Sequence, residues 1–396
     1  MKKFFSFFMF LISLALSAFA YEWFDNRYFE TSLGARFGIS NNAMQISDVL
    51  TKNVVIDLKK MADDMPESGL TFSSYLVPEL GFKLDLRKFQ IGMKSGADVW
   101  WQGTLSKDLF DYLGNGNTLY QTVSVSQYLN MDVFAYQEFS VGFKIKQFTI
   151  VAKPAIFMPI FHVASSNGTL SVTNLSDGSL NVDYSSDMEI YSAFGISGES
   201  GFSGGVGFDI AGSVSYPLFD FLTLTGSIRL PVIPGKLGYK TVQTTTMNFS
   251  TTIDKIVNGS LGTNDFSSSH EDSVSTSYFI NRPLKLNALA ELTPFGDWVI
   301  FTGGLGIGFR HPFTDDMESF EVFGEYYLAG TLNFLKCIKL IFSSECFEGV
   351  FIHQFTFSAD VRVFELVLGI NAQSSDFVKS CSGGGVGGVI GMKFGY

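Results

Sequence analysis

The chain has 396 residues, of which 46% are hydrophobic and only 16% charged, with a net charge of −11. Soluble domains usually carry about 25% charged residues, and an acidic balance argues against a nucleic-acid partner, which would favour a basic surface. The chain also holds 42 Phe and 40 Gly, and beyond residue 20 it has no apolar run long enough for a helical membrane span. Its three cysteines, Cys337, Cys346 and Cys381, form neither a disulfide framework nor a metal-site spacing.

Taken in order, Lys2 and Lys3, an apolar run from Phe4 to Leu16, and Ala18-Phe19-Ala20 read as a secretory signal (residues 1–20) cleaved after Ala20. No cysteine lies near that site, so a lipoprotein anchor is not expected and the chain is exported. Tyr21, Trp23 and Phe24 are expected at a membrane interface. A strand follows. Phe29, Thr31, Leu33, Ala35, Phe37 and Ile39 lie on one face, and Glu30, Ser32, Gly34, Arg36 and Gly38 on the other.

Residues 42–65 break this period. Ile46, Leu50, Val54, Leu58 and Met61 recur at helical steps, Asn41 or Asn42 can cap the start, and Pro66 follows the end. From Leu76 onward, alternating strands are joined by tight turns near Arg87-Lys88, Lys146-Gln147, Phe219-Asp220, Pro294–Asp297, Leu335-Lys336 and Arg362-Val363. Between these turns lie longer polar segments read as loops: Gly103–Ser126, His162–Ser203, Gly235–Ser277, His311–Ser319, Ser344–Gly349 and Gln373–Ser382. Pro78, Pro154 and Pro283 fall within strands, where bulges are expected. The last strand, Val386–Tyr396, alternates Val386, Ile390, Met392, Phe394 and Tyr396 with Gly387, Val389, Lys393 and Gly395, and is expected to close on Phe29–Ile39.

Strands in a membrane must leave no unpaired edge. The expected fold is therefore all-β: a closed antiparallel transmembrane β-barrel over residues 21–396, with about 14 strands and one helix in the first outer loop, 42–65, as a plug or lid. A barrel of that size leaves a lumen that wall side chains do not fill. Facing it are Arg36, Arg229 and Arg310, any of which could anchor a carboxylate, and the aromatics Phe134, Tyr136, Phe157, Phe323 and Tyr327. Histidines occur only at 162, 270, 311 and 353, and no Gly-x-Ser-x-Gly elbow is present. Catalysis, a cofactor and a metal centre are therefore not expected. Cys346 and Cys381, in neighbouring outer loops, are expected to pair in an oxidising compartment.

The signal, the strand count, the helix near the lumen and the closing Phe-Gly-Tyr resemble the long-chain fatty acid transporter family of bacterial outer-membrane barrels. The chain departs from that family in placing only residues 21–27 before its first strand, where the family has an N-terminal hatch. The resemblance implies an outer-membrane channel for small hydrophobic molecules such as fatty acids, surrounded by outer-membrane lipids. It also implies that Phe394 and Tyr396 are read by barrel-assembly machinery. A general diffusion porin and a surface adhesin or structural barrel are the alternatives.

Overall fold

The computed structural model describes residues 27–45, 57–86, 88–116, 119–120, 122–195, 201–252, 265–270, 274–313, 320–334, 337–361 and 363–396. The signal segment, Ile46, Leu50 and Val54 lie outside these residues. The strands are β1 (Phe29–Asn41), β2 (Leu70–Asp85), β3 (Phe89–Leu105), β4 (Thr122–Ile145), β5 (Phe148–Asn174), β6 (Ser179–Ser192), β7 (Gly207–Phe219), β8 (Leu222–Ile233) and β9 (Gly235–Thr252). They continue as β10 (Asp265–His270), β11 (Val274–Ile280), β12 (Leu284–Leu292), β13 (Pro294–Asp297), β14 (Val299–Arg310), β15 (Glu321–Phe334), β16 (Ile338–Phe347), β17 (Val350–Asp360), β18 (Phe364–Ser374) and β19 (Gly385–Gly395). Three short helices are described: α1 (Leu58–Asp64), α2 (Lys107–Asn115) and α3 (Phe377–Cys381).

Antiparallel pairing runs β1–β2–β3–β4–β5–β7–β8–β12–β14–β15–β16–β17–β18–β19. It closes where β19 pairs with β1, from Glu30 opposite Gly395 to Ser40 opposite Gly385. The seam is tied at its end by the Tyr396 carbonyl, which accepts from the Tyr28 and Phe29 amides at 2.8 and 3.1 Å. The described strand ends that flank each tight turn expected from the sequence lie at the end of the barrel that holds both termini. The sheet contains 18 strands, more than the about 14 expected. The excess is β6, β9, β10 and β11, which leave the circuit beyond the upper half of β5 and build a sheet standing above the opposite, loop end.

Together with the upper part of β5, those strands occupy most of His162–Ser203 and Gly235–Ser277, read above as loops. Side-chain bonds such as Asn248 to Asp183 (2.6 Å) and Thr244 to Asp187 (2.7 Å) run across one face of β6, while Leu180 and Val182 on its other face are buried with Val172. The prolines also behave differently from expectation. Pairing of β2 with β3 lapses beside Pro78, and that of β4 with β5 beside Pro154, in each case without a change of register, while Pro283 lies between strands. Register shifts fall elsewhere: β5 carries extra residues against β4 between Val163 and Asn167 and between Pro159 and Phe161, and against β6 between Val163 and Ser165, and further shifts occur in the β7–β8 and β9–β11 pairings.

Alternation holds around the circuit. Phe29, Phe82, Met93, Phe139, Phe143, Ile210, Ile228, Leu305, Leu328, Phe342, Ile370 and Phe394 are exposed, while Glu79, Gln90, Asp132, Glu138, Asp209, Thr356, Glu365 and Lys393 are buried. An exposed apolar belt on a closed barrel faces lipid. Phe219, Phe221, Phe295, Trp298 and Tyr396 extend it as an aromatic girdle at the terminal end. Of the expected helix 42–65, residues 42–45 and 57–65 are described: 42–45 are not helical, so the helix does not start at Asn42, and only α1 is helical. Met61, Ala62 and Met65 pack with Leu70, Phe72, Leu105 and Phe110 of α2 into a small cluster at the rim.

The lumen as candidate functional site

Ion pairs line or cross the lumen in three places. At the terminal end, Arg27 reaches Glu30 (3.1 Å), Asp360 (2.7 Å) and Glu365 (3.7 Å), and Lys393 reaches Glu365 at 3.1 Å. Further up one wall, Lys94 pairs with Glu79 at 2.8 Å, and the Tyr136 hydroxyl donates to the same carboxylate.

The second crossing is made by Arg282, in the short connection from β11 to β12. This fully buried guanidinium bonds Asp98 of β3 at 2.9 Å and Asp209 of β7 at 3.0 Å, and lies 4.3 Å from the Tyr136 ring centre. Above it, Phe134, Tyr136 and Phe157 of the wall meet Tyr191, Ala193, Leu237 and Ile280, which the excess strands deliver into the mouth. The three expected lumen aromatics therefore do come together, and segments read as loops cover them.

The third crossing is a hairpin tip. β16 and β17 are joined by Glu348 and Gly349, whose φ angles of +50° and +82° match the two-residue hairpin turn that requires positive φ at both positions. Glu348 bonds Lys285 of β12 at 2.9 Å and Arg310 of β14 at 2.7 Å. Arg310 lies 3.9 Å from the Trp100 ring centre on β3, far around the circuit, and 5.4 Å from Phe323. Arg36 pairs with Glu345 and lies over the Phe347 ring, with Tyr327 within electrostatic reach. Tyr75, Trp100, Val350 and Ile352 pack into a small apolar knot beside this tip.

Arg36 and Arg310 are thus engaged by carboxylates, and neither stands ready for a substrate carboxylate. Arg229 faces the lumen apart from both, near Glu138, Lys94 and Lys153. The decisive residues that sequence reading missed are Arg282 and Glu348. Arg282 sits beside a proline at the edge of a presumed loop, and its partners are 73 and 184 positions away. Glu348-Gly349 did carry a local signal, since a polar residue followed by Gly between two apolar strands marks a tight hairpin.

Burial alone would raise the Glu348 carboxyl, but Lys285 and Arg310 beside it hold it at about 2. A depressed carboxylate stabilises the fold fully above its ordinary value of 4.5, and that contribution is lost as pH falls through about 2. The lumen is accordingly expected to stay shut from neutral pH down to ~5 and to become conductive on acidification toward 2. Single-channel traces in planar bilayers check this; a trace unchanged down to pH ~2 contradicts it.

Cys337, Cys346 and Cys381 are all free thiols, so the expected Cys346–Cys381 bond is not formed. Cys346 stands opposite Phe351 on β17, whereas the Cys381 sulfur on α3 lies 3.3 Å from His353 Nε2.

No protein-family model and no curated protein matches the chain. Among solved structures it is similar to a deltaS2S3 mutant of the monoaromatic hydrocarbon channel TodX, at 10% identity and TM-score 0.50, over 94% of this chain and 91% of that one. It is also similar to the Pseudomonas putida toluene transporter TodX, at 10% identity and TM-score 0.49, over 94% and 90% of the two chains. The Ralstonia pickettii toluene transporter TbuX matches at 9% identity and TM-score 0.48, again over 94% and 90%. At such identities the likeness is one of fold: a closed antiparallel outer-membrane barrel, the architecture that the sequence resemblance implied.

Proposed function

We propose that the protein is an outer-membrane uptake channel for small, uncharged hydrophobic molecules, held closed at rest by Arg282 and by the Glu348 hairpin tip. The observation that carries this reading is the cluster of Phe134, Tyr136 and Phe157 with Tyr191, Leu237 and Ile280, buried inside the mouth of a barrel whose interior, apart from the knot around Tyr75 and Trp100, is rich in charged and polar side chains. A site that selects apolar cargo needs such a surface with few polar groups, whereas a general diffusion porin gains nothing from it. The proteins of similar fold described above carry toluene and monoaromatic hydrocarbons by their titles, cargo of this chemistry. A fatty acid fits less well, because two of the three candidate arginines already hold carboxylates. The gate is assigned to these two crossings; the described part of the 42–65 helix, α1, packs on α2 at the rim.

Organic extraction of the purified barrel followed by mass spectrometry tests the cargo. An uncharged hydrophobic molecule at near-stoichiometric yield is the expected result, and a protein that is empty yet strongly ion-conducting at rest would instead be a diffusion porin.

The same reading makes the β19 terminus the contact for barrel-assembly machinery. Deleting Phe394–Tyr396 removes the Tyr396 bonds to Tyr28 and Phe29 that tie the seam. Folded barrel in the outer membrane, read by heat-modifiable gel mobility, is expected to fall to background; wild-type levels would exclude this role.

A further inference from the structure

Asp132, His162 and His311 are all buried, and their ligand atoms lie within 4.8 Å of one another. Asp132 and His162 are register partners on β4 and β5, with Oδ1 2.7 Å from Nδ1. His311 follows the last residue of β14 and comes to the same carboxylate, its Nε2 3.4 Å from Oδ2. Around the circuit β14 is separated from β5 by β7, β8 and β12, so the three side chains meet across the mouth of the barrel.

We propose that these three side chains form a site for one divalent transition-metal ion of the zinc class, which ties β14 to β4 and β5 across the mouth. Four observations point to a ligand here. First, His311 is 4% exposed, yet its Nδ1 meets no partner and its Nε2 has only the long 3.4 Å approach to Asp132, short of a well-formed hydrogen bond. A buried polar group in that condition costs free energy unless an ion or water completes it. Second, His311 has φ +45°, a left-handed conformation that a side chain other than Gly adopts only where its surroundings impose it. Third, the β4–β5 register shifts on both sides of the Asp132–His162 pair, with the extra residue on β5 each time, between Val163 and Asn167 and between Pro159 and Phe161, and β5 carries a further bulge against β6 between Val163 and Ser165. Bulges re-aim side chains and gather beside functional sites. Fourth, His162 Nε2 lies 3.2 Å from the Tyr278 hydroxyl, whose ring stacks on the imidazole. A ligating histidine is ordinarily fixed in this way through its second nitrogen, which leaves Nδ1 for the ion.

Two imidazoles and one carboxylate suit zinc, iron or nickel better than the hard ions magnesium and calcium, which take oxygen ligands. A divalent ion would balance the Asp132 carboxylate with the two imidazoles neutral, and three protein ligands leave one position for water. In the absence of an ion the same residues can only form a hydrogen-bonded pair with a third ring left unsatisfied.

The test uses the whole folded barrel in detergent, stripped with a chelator, incubated with ZnCl2 alone and freed of excess metal before elemental analysis. About one zinc per chain is expected, with a rise in thermal midpoint that the chelator reverses. His311→Gln and Asp132→Asn should each weaken retention by ~100-fold, while heat-modifiable gel mobility reports whether these variants still fold. Co2+ in place of zinc should give weak visible absorption bands without the intense thiolate band that a Cys site would add. Substoichiometric zinc in the wild-type barrel would overturn the proposal, as would zinc retained unchanged by a folded His311→Gln variant. Either result would leave the cargo reading untouched, since that rests on Phe134, Tyr136 and Phe157.

Discussion

Glu348→Ala is expected to turn a silent barrel into an ion-conducting one. Glu348 is the shared carboxylate of Lys285 and Arg310, and its removal leaves two buried cations with one carboxylate each, Glu325 and Glu321. Taking one partner from a buried ion pair costs ~3–5 kcal/mol when the remaining charge is left uncompensated; here each cation keeps one carboxylate, so the cost falls below that range. The barrel wall, paired around its whole circuit, does not depend on this residue. The strain should therefore be relieved at the hairpin tip, which can lift out and admit water to the buried cations. Conductance should rise severalfold in planar bilayers while heat-modifiable mobility remains that of a folded barrel. Glu348→Gln, which keeps shape but not charge, should behave in the same direction and more weakly. A Glu348→Ala protein that is folded and as silent as the parent would remove the tip from the gate.

The second large effect concerns Arg282. Replacing it with Met leaves Asp209, 1% exposed, without its cation and removes the bond to Asp98. The expected loss is ~3–5 kcal/mol of stability, together with opening of the aromatic cluster that Arg282 underlies through Tyr136. Adding Asp209→Asn to Arg282→Met removes the orphaned charge and should recover most of the loss, because the two groups act as one unit. A simple sum of the two single effects, measured by denaturant titration in detergent, would show that the pair does not act as a unit.

Much of this fold is legible in the sequence because a lipid-facing wall imposes a strict period of two. Val386, Ile390 and Phe394 are exposed while Val389 and Lys393 are buried, as the alternation of β19 requires, and the seam with β1 follows from matching apolar faces. The tight turns are equally visible, since each is a short break between alternating runs. What was not legible stands outside the lipid. β6 and β9 are rich in Ser, Thr, Asn and Asp, so the short alternation of buried Leu180 and Val182 with Asn181 and Asp183 is easily passed over, and runs such as Thr244-Thr245-Thr246 read as loop although Thr favours strands. The lumen is less legible still. Sequence identifies inward charges but not their partners: Arg36 and Arg282 find theirs on distant strands, while Arg310 is held by Glu321 on neighbouring β15 and by Glu348 at the β16–β17 tip. The residues proposed to hold metal show the same limit: His162 and His311 are ordinary single histidines until the circuit brings both to Asp132.

The most direct measurement of the central claim is uptake of N-phenylnaphthylamine, an uncharged hydrophobic fluorophore, by intact cells whose outer membrane excludes it. Cells displaying the folded wild-type barrel are expected to accumulate the dye severalfold faster than cells without it. Replacement of Phe134 and Phe157 by Ser should abolish the gain without loss of folded barrel. Equal uptake by cells with and without abundant folded protein would contradict the account.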